Sequence, residues 1–178
     1  MMRKLLLSIF IIISIFTYAQ EEYPYVDEFG FLVKVGQKAP DFKIVYADER
    51  PSVNLSDLRG NVVLLQFTAS WCGVCRREMP HIEKQIWKEF KDKGIHVIGI
   101  DRKESLEKTK EFAKTMKITY PLALDLDDAI YTSYAHPNSG VTRNVLIDKE
   151  GKIVFLTRLY KKKEFAKLID KIEEQTSN

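Results

Sequence analysis

The feature that most constrains this chain is an apolar run, Val62–Phe67, followed closely by its only two cysteines, Cys72 and Cys75. A continuous apolar run of this length is typical of a central strand that is covered on both faces. The spacing of the cysteines fits the start of a helix, with the first thiol exposed and the second one turn further in. Unpaired N–H groups and the helix dipole favour a thiolate at such a position. The two cysteines therefore form a dithiol/disulfide couple or bind a metal, unless both are inert.

A metal site is disfavoured because the additional ligands are missing. Structural zinc usually takes four ligands, most often two cysteine pairs or a cysteine pair with a spaced histidine pair. The histidines of this chain, His81, His96 and His136, are scattered and do not form such a pair. We interpret each histidine as solvated or hydrogen-bonded, expect no metal, and favour a redox role for the cysteines.

The N-terminus has the layout of a secretory signal. Arg3 and Lys4 precede an apolar run, Leu5–Phe16, and a short segment ending at Ala19 follows it. The run is shorter than the roughly 20 residues of a membrane span, and the pattern predicts a signal peptide at residues 1–19, cleaved after Ala19. An uncleaved membrane anchor is the alternative. Outside the cytosol no bulk glutathione pool keeps thiols reduced, so the cysteine pair of an exported chain can cycle between its two states.

The charge balance argues against nucleic acid as a partner. The whole chain carries 28 basic and 25 acidic residues, and removal of Arg3 and Lys4 with the signal leaves 26 basic residues against the same 25. A nearly neutral protein lacks the basic surface that binds phosphate backbones. Hydrophobic residues make up 45% of the chain, which indicates a folded protein. We predict one domain at 36–178, preceded by an irregular aromatic arm at 20–35 that packs on it.

The rest of the chain alternates between strand and helix signals. After the cysteines, apolar residues recur at the three- and four-residue steps of a buried helix face: Met79, Ile82, Ile86 and Phe90. Pro80 is expected to kink this helix because proline removes one helical hydrogen bond. Gly94 ends it, and Ile95–Ile100 is predicted as the next buried strand.

Weaker signals complete the pattern. They predict short strands at 42–46 and 52–55, a helix at 106–116, a strand at 122–124, a helix capped by Asp127 and ending at Tyr134, a hairpin of 144–148 with 153–157, and a final helix that buries Phe165, Leu168, Ile169 and Ile172. This order indicates an α/β fold with a mixed central sheet and helices on both faces. Ligands of open α/β sheets bind at the carboxyl ends of strands, which is where Cys72 lies.

At this level of detail the chain resembles the extracytoplasmic thioredoxin-like reductases of the TlpA/ResA type. The resemblance rests on the phrases VGQKAPDF, LSDLRGNVVLLQFTASWCGVCRREMP, VIGID, YPLALD and GVTRNVLIDKEGKI, and it extends over roughly residues 35–175. The flanking phrases are shared with the wider group that includes peroxiredoxins. The resemblance implies a thioredoxin fold with an N-terminal hairpin and a strand–helix insertion, which we place at 117–134.

The resemblance also implies roles for individual residues. By position, Cys72 is the attacking cysteine, Cys75 the resolving one, and Trp71 walls the site. Glu78 matches a glutamate that tunes the dithiol in such reductases, with a solvated helix residue as the alternative interpretation. Gln66 stands where thioredoxin has a buried acid, which removes one candidate base for Cys75.

A larger departure from the family occurs at Thr142. The family has a cis-proline facing the cysteines at this position, and here Val141 and Thr142 are the expected substrate-binding residues. Because a cis bond before a non-proline residue costs roughly 3–4 kcal/mol, we expect a trans bond, in a loop that still faces Cys72. Peroxiredoxins also lack this proline and carry an arginine nearby, as Arg143 is here, but their threonine-x-x-cysteine signature is missing.

The resemblance implies a thiol–disulfide oxidoreductase that reduces disulfides of exported proteins, in the periplasm or another extracytoplasmic space, with cytochrome c maturation as a candidate pathway. The exchange requires no cofactor, and electrons would come from a membrane-embedded dithiol. We expect a monomer. Two alternatives are a peroxiredoxin-like peroxide reductase and a non-enzymatic module that binds a metal or a partner protein.

Overall fold

The computed structural model describes residues 26–177. The predicted signal peptide, its cleavage after Ala19 and the first part of the arm lie outside the described residues. Within the described part, no helix combines the length and the apolar character that crossing a membrane requires.

A five-stranded mixed sheet forms the centre of the fold, as predicted. Its strands are β3 (Val62–Thr68), β4 (Ile95–Arg102), β5 (Leu122–Asp125), β6 (Arg143–Ile147) and β7 (Ile153–Arg158). The spatial order is β5-β4-β3-β6-β7, with β3, β4 and β5 parallel and β6 and β7 antiparallel to their neighbours. All residues of β3 are buried, because this strand is central in the sheet and both of its faces are covered.

Helices and loops cover the two faces of the sheet differently. Against one face pack α1 (Gly73–Ile82), α2 (Lys88–Phe90), α3 (Leu106–Met116) and α5 (Lys162–Thr176), which bury Met79, Phe90, Phe112 and Leu168. The other face is covered by α4 (Ala129–Tyr134), by the arm and by a small hairpin of β1 (Lys43–Ile44) and β2 (Val53–Asn54). The N-terminal hairpin and helices on both faces are therefore confirmed, and β5 with α4 occupies the predicted insertion.

The helix that carries Pro80 is irregular, but the irregularity lies after the proline. Proline has no N–H to donate, and its ring crowds the carbonyl one turn earlier, yet α1 continues through Pro80 to Ile82. A π-helical turn at Glu83–Trp87 then links α1 to α2. The apolar residues of this helix, Met79, Ile82, Ile86 and Phe90, are all buried.

The predicted cap of α4 is only partly right. The helix begins after Asp128, and the Asp127 carboxylate accepts the N–H of Ala129. The next two N–H groups, of Ile130 and Tyr131, donate to the two oxygens of Asp125 at 3.0 and 2.8 Å. Asp125 ends β5 beneath the first turn of α4, so a strand residue satisfies the unpaired donors of the helix.

The segment before β1 and the residues just after it touch both edges of the sheet. At one edge Gly36 donates its N–H to the carbonyl of Ile153, and Lys38 pairs with Lys152. At the other edge Tyr46 pairs with Ala123. The described part of the arm continues this cover on the sheet face, where Phe31 and Val33 are buried.

Candidate active site

The two cysteines form a disulfide at the start of α1, at the carboxyl edge of the parallel strands. Cys72 is the N-cap residue, and its sulfur accepts the N–H of Cys75 at 3.2 Å. The two Cα atoms are 5.3 Å apart. Cys72 is 8% exposed and Cys75 is fully buried. An incoming disulfide can therefore approach Cys72 more directly than Cys75, as the sequence predicts from their order.

Thr142 lies directly against the disulfide. Its Oγ1 is 3.2 Å from the sulfur of Cys72 and 3.2 Å from that of Cys75. No cis peptide bond occurs between residues 26 and 177, so the Val141–Thr142 bond is trans. The expected trans geometry and the expected orientation of this loop toward the cysteines are both confirmed.

Glu78 is a buried carboxyl and not a solvated helix residue. It is 1% exposed, and its two oxygens accept hydrogen bonds from Asn144 Nδ2 at 2.8 Å and Gln66 Nε2 at 3.2 Å. Burial raises the pKa of Glu78 to about 7, although the two hydrogen bonds oppose this effect. The carboxyl lies on α1 one turn after Cys75, and its raised pKa means that it ionises near neutral pH.

A wider network holds the partners of Glu78. The hydroxyl of Tyr120 donates to Gln66 Oε1 at 2.7 Å, which leaves the amide nitrogen of Gln66 to face the carboxyl. Asn144 also donates to Thr157 Oγ1 at 2.9 Å. Sequence reasoning singled out Gln66 but missed Tyr120 and Asn144. Both lie on other strands or loops far along the chain, and no local spacing connects them to Glu78.

The loop before the cysteines is held by a second buried carboxyl that the sequence did not reveal. Glu104 accepts the N–H and the hydroxyl of Ser70, both at 2.6 Å, and Lys108 forms an ion pair with it. Nearby Asp101 is buried, and burial together with the charge of Glu104 raises its pKa to about 7.

Trp71, which follows Ser70 and precedes Cys72, is 65% exposed. The indole therefore offers an apolar surface beside Cys72.

Arg143, the residue after Thr142, contacts the N-terminal arm. Its guanidinium donates to the carbonyl of Phe29 at 2.6 Å and lies over the ring of Phe31, 4.4 Å from the centroid. It also donates to the hydroxyl of Tyr131 at 3.3 Å. This side chain therefore connects the strand after Thr142 to the arm.

A thioredoxin-type sheet that carries a C-x-x-C disulfide at a helix start defines the class of thiol–disulfide oxidoreductases. The profile of the AhpC/TSA family matches residues 35–156. The chain belongs to this family. It is 33% identical over 122 residues to the thiol-disulfide oxidoreductase ResA of a Bacillus cereus strain, and the match covers 68% of each chain.

Solved structures agree with this assignment. The chain is 55% identical to a candidate protein disulfide isomerase from Bacteroides thetaiotaomicron, with a TM-score of 0.81 over 84% of this chain and 94% of that one. It is 27% identical to a candidate thiol:disulfide interchange protein DsbE from Chlorobium tepidum, with a TM-score of 0.69 over 81% and 99% of the two chains. The thioredoxin fold and a thiol–disulfide oxidoreductase activity of this chain follow from the site and these relatives together.

Proposed function

We propose that this oxidoreductase works in the reducing direction on disulfides of exported proteins. The observation that carries the proposal is the buried carboxyl of Glu78, one helical turn after Cys75 on α1. A dithiol is a strong oxidant when its reduced form is stabilised, as happens when the environment favours the thiolate. A carboxylate acts in the opposite sense, because its negative charge disfavours a thiolate nearby. Above pH 7 Glu78 therefore favours the disulfide of this protein and makes its dithiol a better reductant.

The arginines after Cys75 do not reverse this balance. Arg76 and Arg77 are both exposed, and Arg76 donates to the carbonyl of Ser70 at 3.3 Å. Charges in solvent are screened and have little effect on a buried group. The helix N-terminus still favours a thiolate on Cys72, so the attacking thiol stays reactive while the couple as a whole is reducing.

The reaction then proceeds in two exchanges. The Cys72 thiolate attacks one sulfur of the substrate disulfide, that S–S bond breaks, and the other substrate sulfur leaves as a thiolate that takes up a proton. Cys75, after losing its proton, attacks the sulfur of Cys72 in the mixed disulfide. The second substrate thiolate leaves, and the Cys72–Cys75 bond closes. Two electrons pass to the substrate, and a membrane dithiol restores the reduced enzyme.

The reduction potential tests the direction. Equilibration with thiol buffers of known potential should give about −250 mV or below, whereas a value near −120 mV would make the protein an oxidant. Glu78→Gln should move the potential upward at pH 8, by about 30 mV for each tenfold change in the exchange constant. Glu89→Gln, an exposed glutamate on α2, is the matched control and should leave the potential unchanged.

We also propose that the protein works outside the cytoplasm and that its substrates are exported proteins. The support for this proposal is the secretory pattern of residues 1–19 together with the resemblance to extracytoplasmic reductases. N-terminal sequencing of protein recovered from the extracytoplasmic fraction should show Gln20 first, and an intact Met1 would indicate the uncleaved anchor. A disulfide-bonded C-x-x-C-H peptide, the haem-attachment motif of c-type cytochromes, should be reduced faster than hydrogen peroxide is consumed. Faster peroxide turnover would favour the peroxidase alternative.

A further inference from the structure

The structure assigns Thr142 a catalytic role: we propose that its hydroxyl donates a hydrogen bond to the Cys72 thiolate during attack and to the Cys75 thiolate during resolution. The inference rests on the oxidoreductase activity and is independent of the direction in which electrons flow. It differs from a role in gripping the substrate backbone, because the group involved is the side-chain hydroxyl and its partners are the two reacting sulfurs.

The direction of the hydrogen bond follows from the oxidation state. In the disulfide neither sulfur carries a hydrogen, so the hydroxyl is the donor in the contacts that Thr142 Oγ1 makes with Cys72 and Cys75. The two distances are equal, 3.2 Å each. Rotation about the Cβ–Oγ1 bond therefore directs the same hydrogen to either sulfur without movement of the backbone.

Reduction strengthens this contact. A disulfide sulfur is a weak acceptor, whereas hydrogen bonds to an ionised partner are shorter and about twice as strong as neutral ones. Thr142 is only 3% exposed, so little water competes for the hydroxyl. The negative charge passes from Cys72 to the substrate in the first exchange and appears on Cys75 in the second, and the hydroxyl can reach each cysteine in turn.

The surrounding contacts hold Thr142 in position. The N–H of Leu159 donates to the carbonyl of Thr142 at 3.3 Å. On the N-terminal side, the hydroxyl of Tyr131 contacts the carbonyls of Ser139 and Gly140 at 2.9 and 3.1 Å. On the C-terminal side, Arg143 is anchored to the arm as described above. These contacts orient the donor before reaction, which a loop without proline requires from its neighbours.

The test compares Thr142→Val, which replaces the hydroxyl by a methyl group of similar shape, with Thr142→Ser, which keeps the hydroxyl. In the reduced proteins, thiolate absorbance near 240 nm is titrated against pH. The pKa of the Cys72 thiol should rise by about one unit in Thr142→Val, so that tenfold less thiolate is present at a fixed pH below the pKa. Thr142→Ser should stay within about threefold of the natural protein by the same measure.

The matched control is Thr68→Val. Thr68 is a second buried threonine, and its hydroxyl contacts the sulfur of Met79 at 3.6 Å instead of a cysteine. This variant also loses a buried O–H···S contact, here between β3 and α1, and it should leave the thiol pKa values unchanged. Glu78 is a titratable group buried on α1 one turn after Cys75, and it is retained in every variant, so its own ionisation is common to all curves.

The pH profile of the exchange rate separates a catalytic hydroxyl from a structural one. Thiolates of higher pKa are fewer but individually more nucleophilic, with a Brønsted coefficient of about 0.4–0.5. Thr142→Val should therefore react about threefold more slowly with a small disulfide at low pH and about threefold faster above both pKa values. A packing defect would lower the rate at every pH. Crossing profiles are expected only if the hydroxyl acts on the thiolate.

Resolution by Cys75 is measured in a single turnover. The mixed disulfide on Cys72 should accumulate in Thr142→Val and not in Thr68→Val. The proposal fails if the thiol pKa and the rate profile of Thr142→Val match the natural protein, or if Thr142→Ser behaves like Thr142→Val. If Thr142→Val does not fold, Thr142→Ala removes the same hydroxyl and must show the same rise in pKa.

Discussion

The buried carboxyl of Glu78 should make the oxidised protein less stable as pH rises. An unfolded glutamate ionises near 4.5, whereas burial holds the pKa of folded Glu78 at about 7. Below pH 4.5 the group is protonated in both states and costs nothing. Between 4.5 and 7 unfolding releases a proton, so the free energy of unfolding falls. Above pH 7 the group is ionised in both states, and the loss is complete.

The size of the effect follows from the same two pKa values. Between 4.5 and about 7 lie about 2.5 pH units, and each is worth about 1.4 kcal/mol. The expected loss of stability over the whole range is therefore about 3.5 kcal/mol, a large share of the 5–15 kcal/mol that stabilises a typical domain. About 3 kcal/mol of it falls between pH 4.5 and pH 8, because an unfolded glutamate is already half ionised at pH 4.5. Glu78→Gln cannot ionise. Its amide oxygen can accept from one of the two donors, Asn144 or Gln66, but its amide nitrogen then faces the other, which adds a cost that does not depend on pH.

The assay is urea unfolding followed by circular dichroism at pH 4.5 and pH 8, with the disulfide intact so that no thiol titrates. Relative to the natural protein, Glu78→Gln should gain about 3 kcal/mol between these two pH values. Asp101, whose pKa is also raised, contributes to both proteins and cancels in the difference. The exposed control Glu89→Gln should run parallel to the natural protein. If the Glu78→Gln curve does so too, within about 0.5 kcal/mol, the pKa of Glu78 is the same in the folded and unfolded protein and the reasoning is wrong.

Three further outcomes are expected. Cys72→Ser should abolish exchange and Cys75→Ser should trap substrates as mixed disulfides on Cys72; faster alkylation of Cys75 than of Cys72 by iodoacetamide would reverse the roles. Gly30→Ala should lower the free energy of unfolding by about 1–3 kcal/mol. The reason is that Gly30 has a φ of +80° and the new Cβ would lie 2.7 Å from Ser139 Cβ. An unchanged urea midpoint would show that the arm is loosely attached. Ser70→Ala removes the hydroxyl that donates to Glu104, and it should slow thiol–disulfide exchange without lowering the free energy of unfolding. If stopped-flow assays give equal exchange rates for this variant and the natural protein, that hydrogen bond has no role in exchange.

The sequence carried the features that local periodicity controls. The central strand, the position of the cysteine pair before a helix and the β6–β7 hairpin were all predictable, because each depends on neighbours within a few residues. The cap of α4 was predicted at Asp127 but is shared with Asp125, since a strand end lies under the helix only after the sheet has formed. Caps of this kind depend on tertiary contacts, which the spacing of residues along the chain does not indicate.

The same distinction applies to the candidate site, where some residues follow from local motifs and others depend on tertiary contacts. Cys72 and Cys75 follow from their motif, and Thr142 follows from counting along a familiar pattern. The environment of Glu78 does not, because its partners Gln66 and Asn144 come from two different strands and meet only in the folded sheet. Whether Glu78 is solvated or buried was therefore open in the sequence, and the side-chain contacts decide it.

The cover of both sheet edges by the segment from Gly36 to Ala47 has a consequence for how the chain folds. An uncovered edge strand can pair with another molecule and start aggregation. Lys152 follows Lys38 by 114 residues, so the edge at β7 can be closed only after nearly the whole chain is available. Contacts of such long range form slowly. The interval before this segment docks is when the protein is most exposed to self-association, and variants that weaken docking should first show themselves as poor recovery on refolding at high concentration.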